Sequence, residues 1–283
     1  MHKLLLCLVL ALATTPAAQA ETRSVPLVVS DQQGQPVDGL GLDDVALVEN
    51  GTARVLRSLR RDERPIDVLL LVDTSEDLRS SLRLSLLDAL DAFLKALPPG
   101  TRYALWKTGE RPTRILDLAD DQGAASNALR RLFPQGGNTM LDALVEATRE
   151  FKRVEGRRSV VVAVSGTSIE FSSRARQQVV EQARPNADTF YFLQIDEGSA
   201  DAEMRAAYGH VFSELARCSG GLHETTLTSM GARKPLLAIA ADLQNRYLLT
   251  YDAEPGAKPG KLEVQVARPN TRVRLALAQE PRR

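Results

Sequence analysis

Three oxygen-bearing side chains, Asp73, Ser75 and Asp77, follow directly on a continuous apolar run. The run, Val68 to Val72, has the length and composition of a strand that is buried on both faces of a parallel sheet. In open α/β sheets, ligands bind in the crevice beyond the carboxyl ends of the strands. The sequence therefore places its densest polar chemistry where such folds keep their sites.

These residues carry a resemblance to a known family. The segment from Asp73 to Asp77 reads Asp-Thr-Ser-Glu-Asp and resembles the Asp-x-Ser-x-Ser signature of the von Willebrand factor type A domain. The Gly-Gly-Asn-Thr segment at 136–139 resembles the family's threonine loop, which makes Thr139 the matching residue. The run Ser159 to Val164 resembles its third strand, and Ser165 then stands where the family has aspartate.

The resemblance implies a binding module rather than an enzyme. In the family, these loops hold Mg²⁺ at a metal-ion-dependent adhesion site, and a partner protein supplies an acidic side chain to the open coordination position. The metal ligands implied for this chain are Asp73, Ser75, Asp77, Thr139 and Ser165.

The implied metal site departs from the family pattern at two positions, since Asp77 replaces a serine and Ser165 replaces an aspartate. One hypothesis is a compensated site, in which Asp77 restores the carboxylate count and a cation still binds. The other is a lost site, in which Ser75 and Asp77 cap the helix that follows.

The elements around these loops predict an α/β fold. Apolar residues at helical spacing run from Leu78 to Leu97, and further strands and helices alternate up to residue 245. Regular alternation of this kind predicts a doubly wound, mostly parallel sheet with helices on both faces. The predicted boundaries of this von Willebrand factor type A-like domain are residues 65 and 245.

Both ends of the chain are predicted to be β-structure, at 21–64 and at 246–283. Asn50-Gly51 indicates a hairpin, with a returning strand from Ala53 to Arg61 whose arginines suit a solvated edge. Because the first strand of such a doubly wound domain starts, and its last helix ends, on the side opposite the metal loops, we expect the two ends of the chain to pair into one small β-sandwich. The segment 28–51 also resembles the leader of a bacterial, acidobacterial-type branch of the family.

The first twenty residues predict a secretory signal peptide, with an apolar block from Leu4 to Ala13 and cleavage after Ala20. We therefore expect an extracytoplasmic protein, periplasmic or secreted, with no membrane span after cleavage. Cleavage removes one lysine and no acidic residue, so the 36 basic residues become 35 against 36 acidic ones. This balance argues against nucleic acid as a main partner. Cys218 then remains alone, either as a buried residue of a helix or as a reactive or intermolecular thiol.

Two rival functions come from other classes. A serine hydrolase would use Ser165 with His210 or His223, but Ser165 lacks both glycines of the nucleophile elbow and no acid–histidine pairing is legible. His223-Glu224 is not followed by the second histidine of a zinc protease motif. The second rival is a metal-independent subunit or scaffold of an envelope complex.

Overall fold

The computed structural model describes residues 21–167, 169–197 and 202–276. The predicted signal peptide and the end of the last predicted strand lie outside these residues. The described strands are β1 (Glu21–Asp31), β2 (Val45–Glu49), β3 (Thr52–Ala53), β4 (Leu56–Arg61), β5 (Ile66–Val72), β6 (Arg102–Lys107), β7 (Thr113–Ala119), β8 (Arg158–Gly166), β9 (Thr189–Ile195), β10 (His223–Thr226), β11 (Tyr247–Ala253), β12 (Leu262–Val266) and β13 (Thr271–Leu275). The described α-helices are α1 (Arg79–Ser81), α2 (Leu87–Ala96), α3 (Gln122–Arg130), α4 (Met140–Glu150), α5 (Arg176–Ala183), α6 (Ala202–Ser219) and α7 (Arg233–Gln244).

The central sheet has the strand order β10-β9-β8-β5-β6-β7. Its neighbouring strands run parallel except for β7, which is antiparallel to β6. After β5 the chain builds outward to β6 and β7, and from β8 it builds in the other direction. The predicted α/β class, with a doubly wound and mostly parallel sheet, is confirmed.

Strand β5 is buried along its whole length, as its unbroken apolar run predicts. Val68 and Leu70 point to one face, where α2, α3 and α7 pack. Leu69 and Leu71 point to the other face, where α4 and α6 pack. A strand with helices over both faces has no polar side to present, which is why the run does not alternate. A π-helical turn, Leu82–Leu86, joins α1 to α2.

The two ends of the chain form one β-sandwich. The first sheet has the order β13-β1-β11-β4 and the second has the order β12-β2-β3. Strand β1 runs antiparallel to β11, with Leu27 opposite Tyr247. Leu27, Leu47, Leu249 and Tyr251 are buried in the core between the sheets. The expectation that leading and trailing strands pair is therefore confirmed, whereas the domain boundaries at 21, 65 and 246 stay predictions.

The returning strand predicted from Ala53 to Arg61 is wrong as a single element. The hairpin at Asn50-Gly51 forms, but β3 pairs with β2 only at Thr52 and Ala53. The chain then crosses to the other sheet, where β4 pairs with β11 as an edge strand. At this crossing, Arg54 turns toward the buried carboxylate of Glu49, and its Nε donates to Oε2 at 3.0 Å.

Cys218 is a buried, free thiol on α6, as predicted. Burial raises the pKa of this thiol, and the Glu214 carboxylate, 3.1 Å from its Sγ, acts in the same direction. Within the described ranges, no helix combines the length and the apolar character needed to cross a membrane.

The passage from α6 to β10 is packed too tightly for a side chain at Gly221. A Cβ there would lie 1.9 Å from the carbonyl oxygen of Phe190 in β9. We therefore expect Gly221→Ala to lower the free energy of unfolding by about 2–3 kcal/mol, as over-packing does. Gly209 in α6 is the control, since a Cβ there meets no heavy atom within 4 Å. Gly209→Ala should leave stability unchanged or raise it by up to about 1 kcal/mol. Urea unfolding measures both, and equal stabilities would contradict the packing described.

Candidate functional site

The predicted site loops meet at the carboxyl ends of β5 and β8, at the switch point of the central sheet. There the strand order reverses, and open α/β sheets have their ligand crevice at such a point. The backbone N–H of Asp73 donates to the carbonyl of Val164 at 2.8 Å, which joins the two strand ends. The same edge receives the loop before α4, through a 2.9 Å hydrogen bond from Thr139 N–H to the carbonyl of Thr108.

Asp73 is fully buried at this junction and accepts hydrogen bonds from three loops. Its Oδ1 accepts from the backbone N–H of Ser75 at 2.8 Å. Its Oδ2 accepts from the backbone N–H of Gly166 at 2.8 Å and from Nδ2 of Asn138 at 2.9 Å. Burial raises the pKa of Asp73, hydrogen bonds from Ser75 and Gly166 counteract the rise, and the charge of Asp77 adds to it. The carboxylate is thus a link that holds three loops together.

Asn138 is the central residue of the site, and the sequence reasoning missed it. Its Oδ1 accepts from Thr108 Oγ1 at 2.7 Å and from the backbone N–H of Met140 at 3.1 Å. Because a backbone N–H can only donate, the amide orientation is fixed, and Nδ2 must face the other way. That nitrogen lies 2.9 Å from Asp73 Oδ2, 2.9 Å from Ser165 Oγ and 3.1 Å from the Tyr208 hydroxyl.

Tyr208 and Glu170 extend this buried network away from Asp73. Burial raises the pKa of Tyr208, and the nearby Glu170 carboxylate raises it further. Burial also raises the pKa of Glu170, against hydrogen bonds to Ser172 and Tyr208 that lower it. The backbone N–H of Ser172 donates to Glu170 Oε1 at 2.9 Å. Glu170 thereby ties the loop after β8 to the same cluster.

The structure gathers some of the predicted site residues and separates others. Asp73, Ser75 and Ser165 lie together in the buried network around Asn138. Thr139 adjoins it, but its hydroxyl donates to the carbonyl of Thr108 at 2.7 Å. Asp77 is exposed on the short 3-10 turn that follows the strand end. The only sequence signal for Asn138 was its place beside Thr139, and nothing in the spacing showed that its amide turns inward.

The arrangement does not fit a magnesium ion. Mg²⁺ is held by oxygen lone pairs that converge in octahedral geometry. Here the Asn138 amide nitrogen donates to Asp73 Oδ2 and to Ser165 Oγ, so a hydrogen-bond donor takes the position where a cation needs converging oxygen acceptors. Across the described ranges, no three acidic, histidine or cysteine residues group as metal ligands. The magnesium site of Asp73, Ser75, Asp77, Thr139 and Ser165 stays a prediction from the sequence.

The hydrolase hypothesis requires a base beside Ser165, and the contacts are different. Among the described residues, the hydrogen-bond partners of the Ser165 hydroxyl are Asn138 and, at 3.0 Å, the carbonyl of Gly166. His223 bonds instead to Ser213 Oγ at 2.9 Å and to Gln194 Oε1 at 3.0 Å. Ser165 therefore has a structural partner at the position where a catalytic serine needs an imidazole.

Comparison with known proteins identifies the fold. Residues 68–168 match the family model of the von Willebrand factor type A domain. A von Willebrand factor type A protein from Catenulispora acidiphila superposes with a TM-score of 0.54 at 12% identity, over 91% of this chain and 73% of that one.

Proximal thread matrix protein 1 from the mussel byssus gives a TM-score of 0.53 at 14% identity, over 78% of this chain and 51% of that one. A second structure of the mussel protein, with a TM-score of 0.51 at 14% identity over 77% and 50%, is described with a zinc-occupied MIDAS motif. A search of curated protein sequences gave no match.

The variant Asn138→Asp tests whether the Asn138 amide occupies the position that a bound cation would take. The change places a second carboxyl group against Asp73, and like charges raise the pKa of such a pair. The folded state then holds more protons than the unfolded state, so the variant's free energy of unfolding falls as pH rises from about 4 to 7. At pH 7 we expect a loss of about 2–4 kcal/mol. Millimolar Mg²⁺ should recover part of it and should leave the melting temperature of the wild type unchanged.

Asn127→Asp, the same change at an exposed position of α3, is the matched control for thermal unfolding with Mg²⁺ and with chelator. A wild-type melting temperature that rises by several degrees in Mg²⁺ would show that a cation displaces the Asn138 amide.

Proposed function

Because the chain contains a von Willebrand factor type A domain, we propose that it is a protein-binding module that acts outside the cytoplasm. Domains of this family generally mediate protein–protein interaction or adhesion. The location is supported by the signal peptide predicted at residues 1–20. We further propose that the partner binds at the carboxyl-end face of the central sheet, around the loops that enclose Asp73.

An exposed aromatic side chain on this face is the observation that carries the proposal. Phe171 is 64% exposed and its neighbour Ile169 is 56% exposed, in the loop after β8. The Phe171 ring lies on Gly137, where a Cβ would come within 2.1 Å of the ring. The Phe171 backbone N–H donates to the carbonyl of Asn138 at 2.8 Å. An apolar group held in place at the surface is typical of an interaction site.

A groove of 610 Å³ lies beside this loop, on the same face. Its walls come from the loop after β8 and from α4, α5 and α6, with Glu170, Arg174 and His210 among the lining residues. Arg174 also faces Asp142 and Glu146 on α4, at 3.4 and 3.3 Å. A partner side chain that enters the groove would meet Glu170 and Arg174, which lie on the same loop as Phe171.

Binding at this face does not need a cation in the proposed mode. The Asn138 amide supplies Asp73 with a hydrogen-bond donor at the place where a cation would neutralise it. An acidic side chain of the partner would then have no metal ion to coordinate. In this mode, contact with Phe171 and Ile169 takes the place of that coordination. The alternative is the metal-dependent mode, with Mg²⁺ on Asp73, Ser75, Asp77, Thr139 and Ser165, and chelation separates the two.

Phe171→Ser should reduce partner capture at least tenfold. Truncation of an aromatic side chain that becomes buried in an interface costs about 2 kcal/mol or more of binding free energy. The purified protein is immobilised, extract of the source cells is passed over it, and the captured protein is quantified by mass spectrometry. Val154→Ser is the matched control, since Val154 is 43% exposed in the loop before β8, at the opposite end of the sheet.

Capture should be the same with Mg²⁺ and with chelator. Loss of capture in chelator alone would support the metal-dependent mode. Full capture by both variants would place the partner elsewhere, as expected for a scaffold that binds through the β-sandwich.

A further inference from the structure

A second cavity lies at the other end of the central sheet, where the β-sandwich meets the amino ends of the strands. Its volume is 550 Å³, and residues of β1, β8 and β11 line it. Five arginines contribute to the lining, against two acidic residues. The five are Arg23, Arg64, Arg153, Arg158 and Arg246.

Two of these arginines, Arg158 and Arg246, are buried, with exposed fractions of 4% and 2%. Arg158 donates to the backbone carbonyls of Arg64 at 3.1 Å and Leu243 at 2.9 Å. Arg246 donates to the Thr189 hydroxyl and, at 3.2 Å, to the carbonyl of Ser219. These partners are uncharged, and the Arg246 Nε is buried without a hydrogen-bond partner.

The carboxylates near the two buried guanidinium groups are already engaged. Both oxygens of Asp62 accept from Arg64, each at 2.7 Å. Asp188 pairs with Arg153 and accepts from the backbone N–H of Ser159 at 2.8 Å. Among the described residues, neither Arg158 nor Arg246 forms an ion pair within 4.0 Å. Burial lowers the pKa of Arg158 to about 10, partly offset by Asp62, and the charge of Arg246 lowers it as well.

Two buried positive charges that form no direct ion pair are costly, and a bound anion would compensate them. Guanidinium groups match the planar geometry of carboxylates and phosphates and bind them through paired N–H donors. Pro26 of β1 and Leu248 of β11, which lie opposite each other in the sheet, add an apolar part to the lining.

We propose that this cavity binds an amphiphilic oxyanion, with a carboxylate or phosphate head on Arg158 and Arg246 and an apolar chain along Pro26 and Leu248. Arg64 and Arg153 also line the cavity, with side chains 38% and 45% exposed and paired with Asp62 and Asp188. The site is separate from the face around Asp73, since the amino and carboxyl ends of parallel strands lie at opposite edges of the sheet. A ligand there would also join the strands of the chain ends to the central sheet, and it would stabilise the folded protein by mass action.

Titration calorimetry and thermal unfolding of the purified protein test the proposal with five probes. Decanoate and decyl phosphate carry both the charge and the chain, decanol carries only the chain, and acetate and inorganic phosphate carry only the charge. We expect one-to-one binding of decanoate, of decyl phosphate or of both, with a rise in melting temperature. The preferred head identifies the source of the oxyanion. Decanol, acetate and inorganic phosphate should each bind at least tenfold more weakly.

Variants connect binding to the buried arginines. Arg246→Gln removes one charge and should weaken binding of the preferred amphiphile about tenfold or more. Arg57→Gln is the matched control, because Arg57 is exposed on β4 and pairs with Asp252 at the surface. Leu248→Ser shortens the apolar wall at a partly exposed position, and it should weaken binding of decanoate and leave that of acetate unchanged.

Three results would overturn the proposal. They are the absence of binding by both amphiphiles, equal binding of decanol, and unchanged affinity in folded Arg246→Gln. Should Arg246→Gln not fold, Leu248→Ser decides instead, and unchanged decanoate affinity in that variant would overturn the proposal.

Discussion

A buried carboxylate at the end of a buried strand is the constraint on which the site depends. The Asp73 carboxylate is fully buried, so its oxygens need hydrogen-bond donors from the protein in place of water. Ser75, Gly166 and Asn138 supply these donors from three separate loops. The loops are therefore held by one side chain, and the loop after β8 takes its position, including the exposed Phe171, from the same link through Asn138.

The Asn138 amide is the centre of the hydrogen-bond network at the switch point of the central sheet. In open α/β sheets, ligands bind in the crevice at such a switch point. Here one amide satisfies the carboxylate on one side and accepts from Thr108 and Met140 on the other. In the proposed binding mode, the surface above this network, rather than an ion within it, makes the contacts with a partner. This is why the proposed binding mode rests on apolar side chains.

Charged side chains lie at both ends of the strands of the central sheet. Asp73 and Glu170 lie at the carboxyl ends of the strands, whereas Arg158 and Arg246 lie near the amino ends, under the β-sandwich. The sandwich exists because β1 and β11 pair, and the same pairing roofs the arginine cavity. One feature of the topology, the return of both chain ends to one edge, thus creates both the second core and the second cavity.

The fold could be predicted from the sequence because its signals are local and repeated. The unbroken apolar run of β5, the helical stripe from Leu78 to Leu97 and the hairpin signal at Asn50-Gly51 each fix an element without reference to distant residues. The order of those elements then limits the topology, and even the pairing of the chain ends follows from it.

The site could not be predicted to the same degree, because hydrogen-bond polarity depends on which atoms meet. The sequence brought Asp73, Ser75 and Ser165 to one edge, but it contains no rule for the direction in which the amide of Asn138 turns. That direction is set by a backbone N–H of α4 and a hydroxyl from the loop after β6, both fixed only when the sheet assembles. The same holds for Arg158 and Arg246, which are ordinary arginines in the sequence and become buried charges only when the sandwich closes over them. The sequence by itself determined the order of the elements of the α/β domain, but not the division of the strand at 53–61 between two sheets. The tertiary structure alone decided that division and which polar atoms face one another, since burial and orientation are properties of the assembled chain.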